Sequence, residues 1–314
     1  MNLLQGIAFS IPMFFRPDKS IDWPALEAYL DRIAPNAGVA CLYSMAFNTR
    51  YQQLSVDEIH AVNRLTCEAA RDKGVPAIVG HPIGQRQVDL LQFCERAAQE
   101  YQPDAISVLF PERYFGQDDP VLAYLQTPVR AGLSCFIHQM KLVSGFDGSL
   151  VDWPQQLLDQ ALGMAGVVGM KEDSKDDGIA RDLLARFGDT HSIVIAGGGK
   201  RRAAALAETG QLRSWLNGSL MLDSGPAAKI YDAIITNDAP TVQRYLDRIE
   251  QPYFDQVVSA LGWHVAHKLA LEVAGYGTRQ ERSPMTIATD AQREAHAETL
   301  ERVIEALREF SGSE

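Results

Sequence analysis

The sequence AGVVGMKEDS at residues 165–174 is a short apolar segment that ends in a lysine and an acidic turn. Its apolar residues follow one another without strict alternation, which is typical of a parallel strand buried on both faces. Seven further segments share this character, so the sequence predicts a set of parallel strands. These segments are 6–11, 39–45, 76–79, 105–109, 133–138, 192–196 and, more weakly, 214–220.

Amphipathic helical patterns separate the apolar segments. Ser55 and Glu58 have the spacing of a capping box, and Gly74 marks the end of the helix that follows them. About eight strand-then-helix units favour a closed (β/α)8 barrel, a TIM barrel, over an open doubly wound sheet. The other helices of this part are predicted at 23–33, 85–100, 120–125, 154–161, 178–187 and 201–209.

Only helical patterns remain after about residue 224. They cover 227–236, 241–250, 253–276 and 290–311, and Pro252 and Gly275 separate some of them. The sequence therefore predicts an α/β chain with two parts. Residues 1–224 form the barrel and residues 225–314 form a C-terminal helical extension packed on it.

Composition excludes several classes of function. The chain of 314 residues carries 29 Lys and Arg against 40 Asp and Glu, a net charge of −11, so we expect no nucleic-acid partner. Its four cysteines form no C-x-x-C pair, and its seven histidines form no metal-ligand cluster, so no metal is expected. We find no signal peptide and no apolar run near 18 residues, and expect a cytoplasmic protein without membrane contact.

Lys171 is the residue that most strongly suggests chemistry. Strand alternation puts Val167, Gly169 and Lys171 on one face, which points inward in a barrel, and Gly169 would leave room beside the lysine stem. Barrel enzymes keep their chemistry at the C-terminal ends of the strands. Burial there would lower the pKa of the lysine, and a neutral amine can attack a carbonyl to form a Schiff base. The alternative is a solvated lysine at a strand end.

At this strand the chain resembles the dihydrodipicolinate synthase and N-acetylneuraminate lyase family, the class I Schiff-base aldolases and dehydratases. Residues 167–174 are similar to the family's strand, in which a lysine follows an apolar-Gly-apolar pattern. Residues 54–58, 111–115 and 283–285 resemble three further family segments, in the family's order. The resemblance implies a (β/α)8 barrel, Lys171 as the Schiff-base residue, and a homo-oligomer, either a dimer or a tetramer.

The segment after the second strand departs from the family. Members usually have Gly-Thr-Thr-Gly-Glu there, which holds the carboxylate of a 2-oxo acid, whereas this chain has AFNTR at 46–50. Asn48 and Thr49 can still donate hydrogen bonds, and Arg50 can supply a bidentate carboxylate clamp. Phe47 cannot donate from its side chain. We therefore predict Asn48, Thr49 and Arg50 as substrate-binding residues that recognise something other than simple pyruvate.

His138 stands nearest to the family's proton-relaying tyrosine at the end of the fifth strand. A histidine can relay protons at neutral pH, although a packed strand-end histidine is the alternative. Arg113 and Tyr114 match the family's Tyr-Tyr region, which makes Tyr114 a third candidate catalytic residue or a packing residue. Gly197 and Gly198 form either a tight turn or a glycine-lined wall of the site.

These residues predict a Schiff-base-forming lyase, either an aldolase or a dehydratase or synthase, that acts on a small-molecule carbonyl substrate of the 2-oxo acid or sugar-acid type. No metal, nucleotide or flavin cofactor is required. One alternative is a non-catalytic descendant of the barrel that binds or senses a small molecule, which the lost Thr-Thr turn favours. Another is an unrelated phosphate-binding barrel that uses Gly197, Gly198 and Lys200.

Overall fold

The computed structural model describes residues 2–33, 38–109, 118–140, 142–144, 149–197 and 199–312. Eight parallel strands close into a barrel in the order β1-β10-β9-β8-β5-β4-β3-β2, which confirms the predicted (β/α)8 fold. A short antiparallel hairpin, β6 and β7, follows β5 outside the barrel and was not predicted. The strands are β1 Gly6–Ser10, β2 Val39–Ser44, β3 Ala77–Gly80, β4 Ala105–Leu109, β5 Cys135–Met140, β6 Leu142–Ser144, β7 Ser149–Val151, β8 Val167–Asp173, β9 Ser192–Ile195 and β10 Ser214–Leu216.

Helices lie between the barrel strands, and longer ones follow the last strand. The α2 helix begins with the predicted capping box of Ser55 and Glu58 and ends at Gly74, whose φ is 67°. None of the helices in the described ranges is long and apolar enough to cross a bilayer. The helices are α1 Trp23–Arg32, α2 Val56–Lys73, α3 Gln87–Glu100, α4 Asp118–Leu125, α5 Thr127–Arg130, α6 Gln155–Leu162, α7 Asp177–Phe187, α8 Gly199–Ala207, α9 Ala227–Ile235, α10 Ala239–Tyr245, α11 Ser259–Leu261, α12 Trp263–Val273 and α13 Asp290–Ser311.

The packing of helix α9 bears on where the barrel ends, which the sequence predicts at residue 224. Helix α9 packs against both β1 and α8, which is the position of the eighth helix of a (β/α)8 barrel. We therefore place the end of the barrel after α9 and propose that the helices from α10 onward form the extension.

The strands have two buried faces, as the absence of strict alternation predicts. The inward cluster contains Tyr43, Ile78, Ala105, Phe136 and Val194, whereas the intervening residues pack outward against the helices. Along β8 the register shifts at its pairing with β5, so that Val168 rather than Val167 packs on the inward cluster. The predicted inward face is therefore correct only from Gly169 onward.

Gly169 is required by the close packing around it. A Cβ at this position would lie 2.3 Å from the carbonyl oxygen of Ser192 and 2.9 Å from the ring of Phe136. Both neighbours belong to the barrel wall or interior, so no side chain fits there. The prediction that Gly169 leaves room for the stem of Lys171 stays a prediction.

The C-terminal extension runs as one helical path from α10 to α11. Two wide-turned, π-helical segments, Leu246–Glu250 and Pro252–Val258, carry the helix through Pro252. A wider turn already interrupts the i→i−4 ladder, so the missing N–H of proline does not end the helix there. The break comes instead at Gly262, with φ of 77°, inside the range predicted as a single helix.

Candidate active site

Lys171 lies inside the barrel, near the C-terminal end of β8, and is only 4% exposed. Its Nζ is 2.7 Å from Nε2 of His138 and 2.6 Å from Oδ2 of Asp173. The parallel register of β5 and β8 pairs His138 with Lys171 directly, and the alternation of β8 brings Asp173 to the same inward face. The three side chains therefore form one cluster at the mouth where barrel enzymes carry out chemistry.

The two groups that contact the Lys171 amine, His138 and Asp173, differ in charge at pH 7. Burial and the charge of Lys171 lower the pKa of His138 to about 4, against the opposing effect of Asp173, so the imidazole is neutral at pH 7. Burial favours protonation of Asp173, but Lys171 and His138 outweigh it and hold the pKa of the carboxyl below its usual 3.8. The amine of Lys171 therefore contacts one charged and one neutral proton acceptor.

A cavity of about 430 Å³ opens above the cluster, and Lys171 and Asp173 form part of its lining. Lys175 also lines it, with φ of 63°, and forms no ion pair within the described ranges. Most of the remaining described lining is apolar. The apolar lining residues with large side chains are Met45, Phe47, Met140, Ile195, Trp215, Leu216, Phe254, Val258 and Trp263.

The segment 46–50 only partly fulfils its predicted role. Asn48 lines the cavity, but its Nδ2 donates to Ser10 (2.9 Å) and its Oδ1 accepts from Nε1 of Trp263 (3.1 Å). The Thr49 hydroxyl donates to the carbonyl of Ile11 (2.6 Å) and accepts from the N–H of Met45 (2.9 Å). Thr49 is thus used to fix its own turn and is not among the described lining residues.

Arg50 takes part in a buried ion pair. Its Nε donates to Glu281 at 2.8 Å, and the two side chains are 2% and 1% exposed. Its other nitrogens contact the backbone oxygen of Phe47 and both Nδ1 and the carbonyl of His264. The guanidinium therefore joins the segment after β2 to the C-terminal extension, and the predicted binding of a substrate carboxylate by Arg50 stays a prediction.

The glycine-rich turn after β9 contributes Gly197 to the cavity, where its φ is 72°, whereas Gly198 lies outside the described residues. At the start of α8 the carboxylate of Glu250 accepts a hydrogen bond from the N–H of Lys200 at 3.0 Å. A Cβ on Gly199 would lie 2.1 Å from Oε2 of the same carboxylate. The Lys200 ammonium is fully buried and donates to the carbonyls of Leu216 and Asn217. A carboxylate at this helix start opposes the phosphate-binding alternative, because a phosphate would need the same N–H groups.

Two features of the site were missed. Asp173 was not proposed because the predicted strand ended at Lys171, although the same alternation extended by two residues would have found it. The contribution of Phe254 and Trp263 depends on how the extension packs, which their local sequence does not reveal. Arg113 and Tyr114 lie outside the described residues, so the role suggested for Tyr114 stays a prediction.

The chain is a (β/α)8 barrel with a lysine in its cavity, and solved structures of synthases and lyases share this fold. Solved structures with this fold include the dihydrodipicolinate synthase of Bacillus clausii, at 20% identity over 95% of this chain and 97% of that one, with a TM-score of 0.78. N-acetylneuraminate lyase of Proteus mirabilis is 18% identical over 97% of this chain and 99% of that one, with a TM-score of 0.79. The N-acetylneuraminate lyase of Aliivibrio salmonicida is 17% identical over 98% of each chain, also with a TM-score of 0.79. No protein-family model and no curated protein sequence matches this chain. The predicted resemblance is thereby confirmed for the fold.

Proposed function

We propose that this protein is a divergent member of the dihydrodipicolinate synthase and N-acetylneuraminate lyase family that works as a Schiff-base-forming lyase through Lys171. The observation that supports this most directly is the contact of one buried amine with His138 and Asp173 at the floor of a cavity. A salt bridge that only stabilises the fold would need neither a second acceptor nor access to a cavity. Both are required of an amine that must lose a proton and then meet a substrate.

The first step joins the amine to the substrate. The neutral Nζ of Lys171 bonds to the carbonyl carbon, and the carbonyl oxygen takes up two protons and leaves as water, which produces an iminium. His138 or Asp173 accepts the proton that the ammonium gives up, because each has an acceptor atom within 2.7 Å of Nζ. Asp173 then supplies the negative charge that a buried iminium requires.

The iminium draws electrons from the neighbouring carbon. A carbon–carbon bond can then break or form there, or water can leave, with an enamine as the intermediate. His138 is the proposed proton relay for this stage, because burial keeps its imidazole neutral at pH 7 and therefore able to accept a proton. The same series of reaction steps accounts for aldol cleavage, condensation and dehydration.

An acidic group on the substrate has two places to bind. Lys175 brings a positive charge to the cavity without an ion-pair partner in the described ranges. The N–H groups of Phe47 and Asn48 lie in the turn that begins at Met45 and make no hydrogen bond within the described part of the chain. Successive N–H groups of a turn can form a concave nest that favours anions. Both features support a 2-oxo acid or a sugar acid as the substrate.

Reductive trapping tests the proposal. The protein is incubated with borohydride and a panel of 2-oxo acids and sugar acids, and the labelled peptide is identified by mass spectrometry. The adduct should be on Lys171, and K171A should lose both labelling and turnover. K171R should also fail, because a guanidinium stays protonated. K73A, at the end of α2, is the matched control and should label normally.

Absence of an adduct with every carbonyl, together with retained ligand binding, would instead favour the non-catalytic sensor. We also propose a homo-oligomer, a dimer or tetramer, and a cytoplasmic location. Light scattering that finds only monomer at micromolar concentration would contradict the oligomer.

A further inference from the structure

The C-terminal extension provides an aromatic wall to the cavity. Phe254, Val258 and Trp263, which we call the apolar wall, all line it and are all only partly buried. The rings of Phe254 and Trp263 are stacked, with 5.8 Å between centroids and 12° between planes. Their neighbours Tyr253 and Val257 are fully buried in the core. The same helical segment therefore directs Tyr253 and Val257 into the core and leaves Phe254 and Val258 facing the cavity, where Trp263 of α12 joins them.

The polar side chains of the upper cavity are already occupied by one another. Besides the contacts of Asn48 with Ser10 and Trp263, Oδ1 of Asn217 accepts from the Ser10 hydroxyl at 2.8 Å, and its Nδ2 donates to the Ser10 carbonyl at 3.3 Å. A substrate with several hydroxyl groups would have to break these bonds, or leave its own hydroxyls against apolar side chains. Either outcome costs binding energy, because polar groups removed from water need partners.

We infer that the substrate carries an aromatic or branched apolar group, which packs on the apolar wall, rather than a polyhydroxylated chain. The inference rests on the proposed function for the carbonyl end, which Lys171 would hold. The cavity volume of about 430 Å³ is within the usual range for a small-molecule site, so a ring and a carbonyl group can be held together. Covering the apolar wall removes apolar surface from water on both partners, and this supplies the selectivity.

Trapping with matched probes tests the preference. Pyruvate, phenylpyruvate and 2-oxogluconate share the 2-oxo acid group, and the last two are similar in size but differ in polarity. At equal, subsaturating concentrations, phenylpyruvate should label Lys171 about 10- to 100-fold faster than pyruvate, the gain expected from burying a phenyl group. 2-Oxogluconate should show no such gain. Equal rates for phenylpyruvate and 2-oxogluconate would overturn the inference.

Variants of the apolar wall connect the preference to these residues. F254A should lower the ratio of phenylpyruvate to pyruvate labelling about 10-fold. V258T, nearly isosteric but polar, should lower the ratio in the same direction and guards against misfolding of F254A. V88A removes an equally apolar but exposed side chain from α3 and should leave the ratio unchanged. A ratio that survives in both F254A and V258T would refute the assignment of the wall.

A binding experiment separates failure of this inference from failure of the proposed chemistry. In K171A no Schiff base can form, so calorimetry with 3-phenyllactate and gluconate measures the cavity alone. Tighter binding of 3-phenyllactate supports the inference even if no carbonyl labels the wild-type protein, and in that case only the lyase proposal fails. Equal binding of the two probes, or none of either, overturns the inference whether or not Lys171 forms adducts.

Discussion

Replacing Asp173 by asparagine removes the negative charge from the lysine cluster while keeping the shape of the side chain. The Lys171 Nζ lies 2.6 Å from Oδ2 of Asp173, and the carboxylate side chain is 18% exposed. At an effective dielectric of about 20, the attraction at this distance is about 6 kcal/mol before desolvation is counted. The net contribution of a hydrogen bond to a charged group is smaller, about 1.5–3 kcal/mol, because both groups give up water. D173N should therefore slow the formation of the iminium adduct on Lys171 about 10- to 100-fold, because the iminium loses its counter-charge.

Reductive trapping with borohydride measures this, with a 2-oxo acid that labels the wild-type protein. The adduct on Lys171 is quantified by mass spectrometry over time at one pH. The control is D177N, which removes a carboxylate in the same turn that contacts Arg202 at 2.8 Å instead of the lysine. A rate of adduct formation for D173N equal to those of the wild type and D177N would refute the role of Asp173 as the counter-charge.

Three further outcomes follow from the contacts of the site. H138A should lower turnover by about 10²–10⁴ while leaving adduct formation on Lys171, and full activity would assign the relay to another group. The pKa of His138 is about 4 in the folded chain and about 6.5 when exposed, so only the unfolded chain takes up this proton between those two pH values. The protein should therefore be about 2 kcal/mol less stable at pH 5 than at pH 7 because of this residue. Urea denaturation at the two pH values measures the difference, which should be smaller in H138Q. R50M should lower the free energy of unfolding by about 3–5 kcal/mol, because it leaves Glu281 charged and buried. The double variant R50M/E281Q should recover part of that loss, and no recovery would contradict the pairing of the two residues.

The barrel could be predicted from the sequence because its signals are local. The β8 segment is apolar without alternation, and the α2 helix carries its own start and stop residues, so each element is specified within a few neighbouring positions. Lys171 was predicted for the same reason, since its position at the end of a parallel strand follows from alternation and barrel geometry together.

The rest of the site depends on partners distant in the chain. Arg50 has the chemistry of a carboxylate clamp, and only its neighbour Glu281, 231 positions away, decides that a protein carboxylate uses it. Similarly, Glu250 reaches the start of α8 from 50 positions beyond Lys200. Such pairs are formed by tertiary packing, which local residue patterns do not encode.

The wide turns around Pro252 have a consequence for how this chain can change. Tyr253 and Val257 belong to the core, whereas Phe254 and Val258, each the next residue, line the cavity. One residue corresponds to about 100° around an α-helix, so an insertion of a single residue just upstream would move Tyr253 and Val257 to the positions that now face the cavity. The wide-turned segments, which already deviate from regular α-helix, are where such a change is most easily absorbed. A single codon gained or lost there could replace one wall of the cavity while the barrel and its lysine remain as they are.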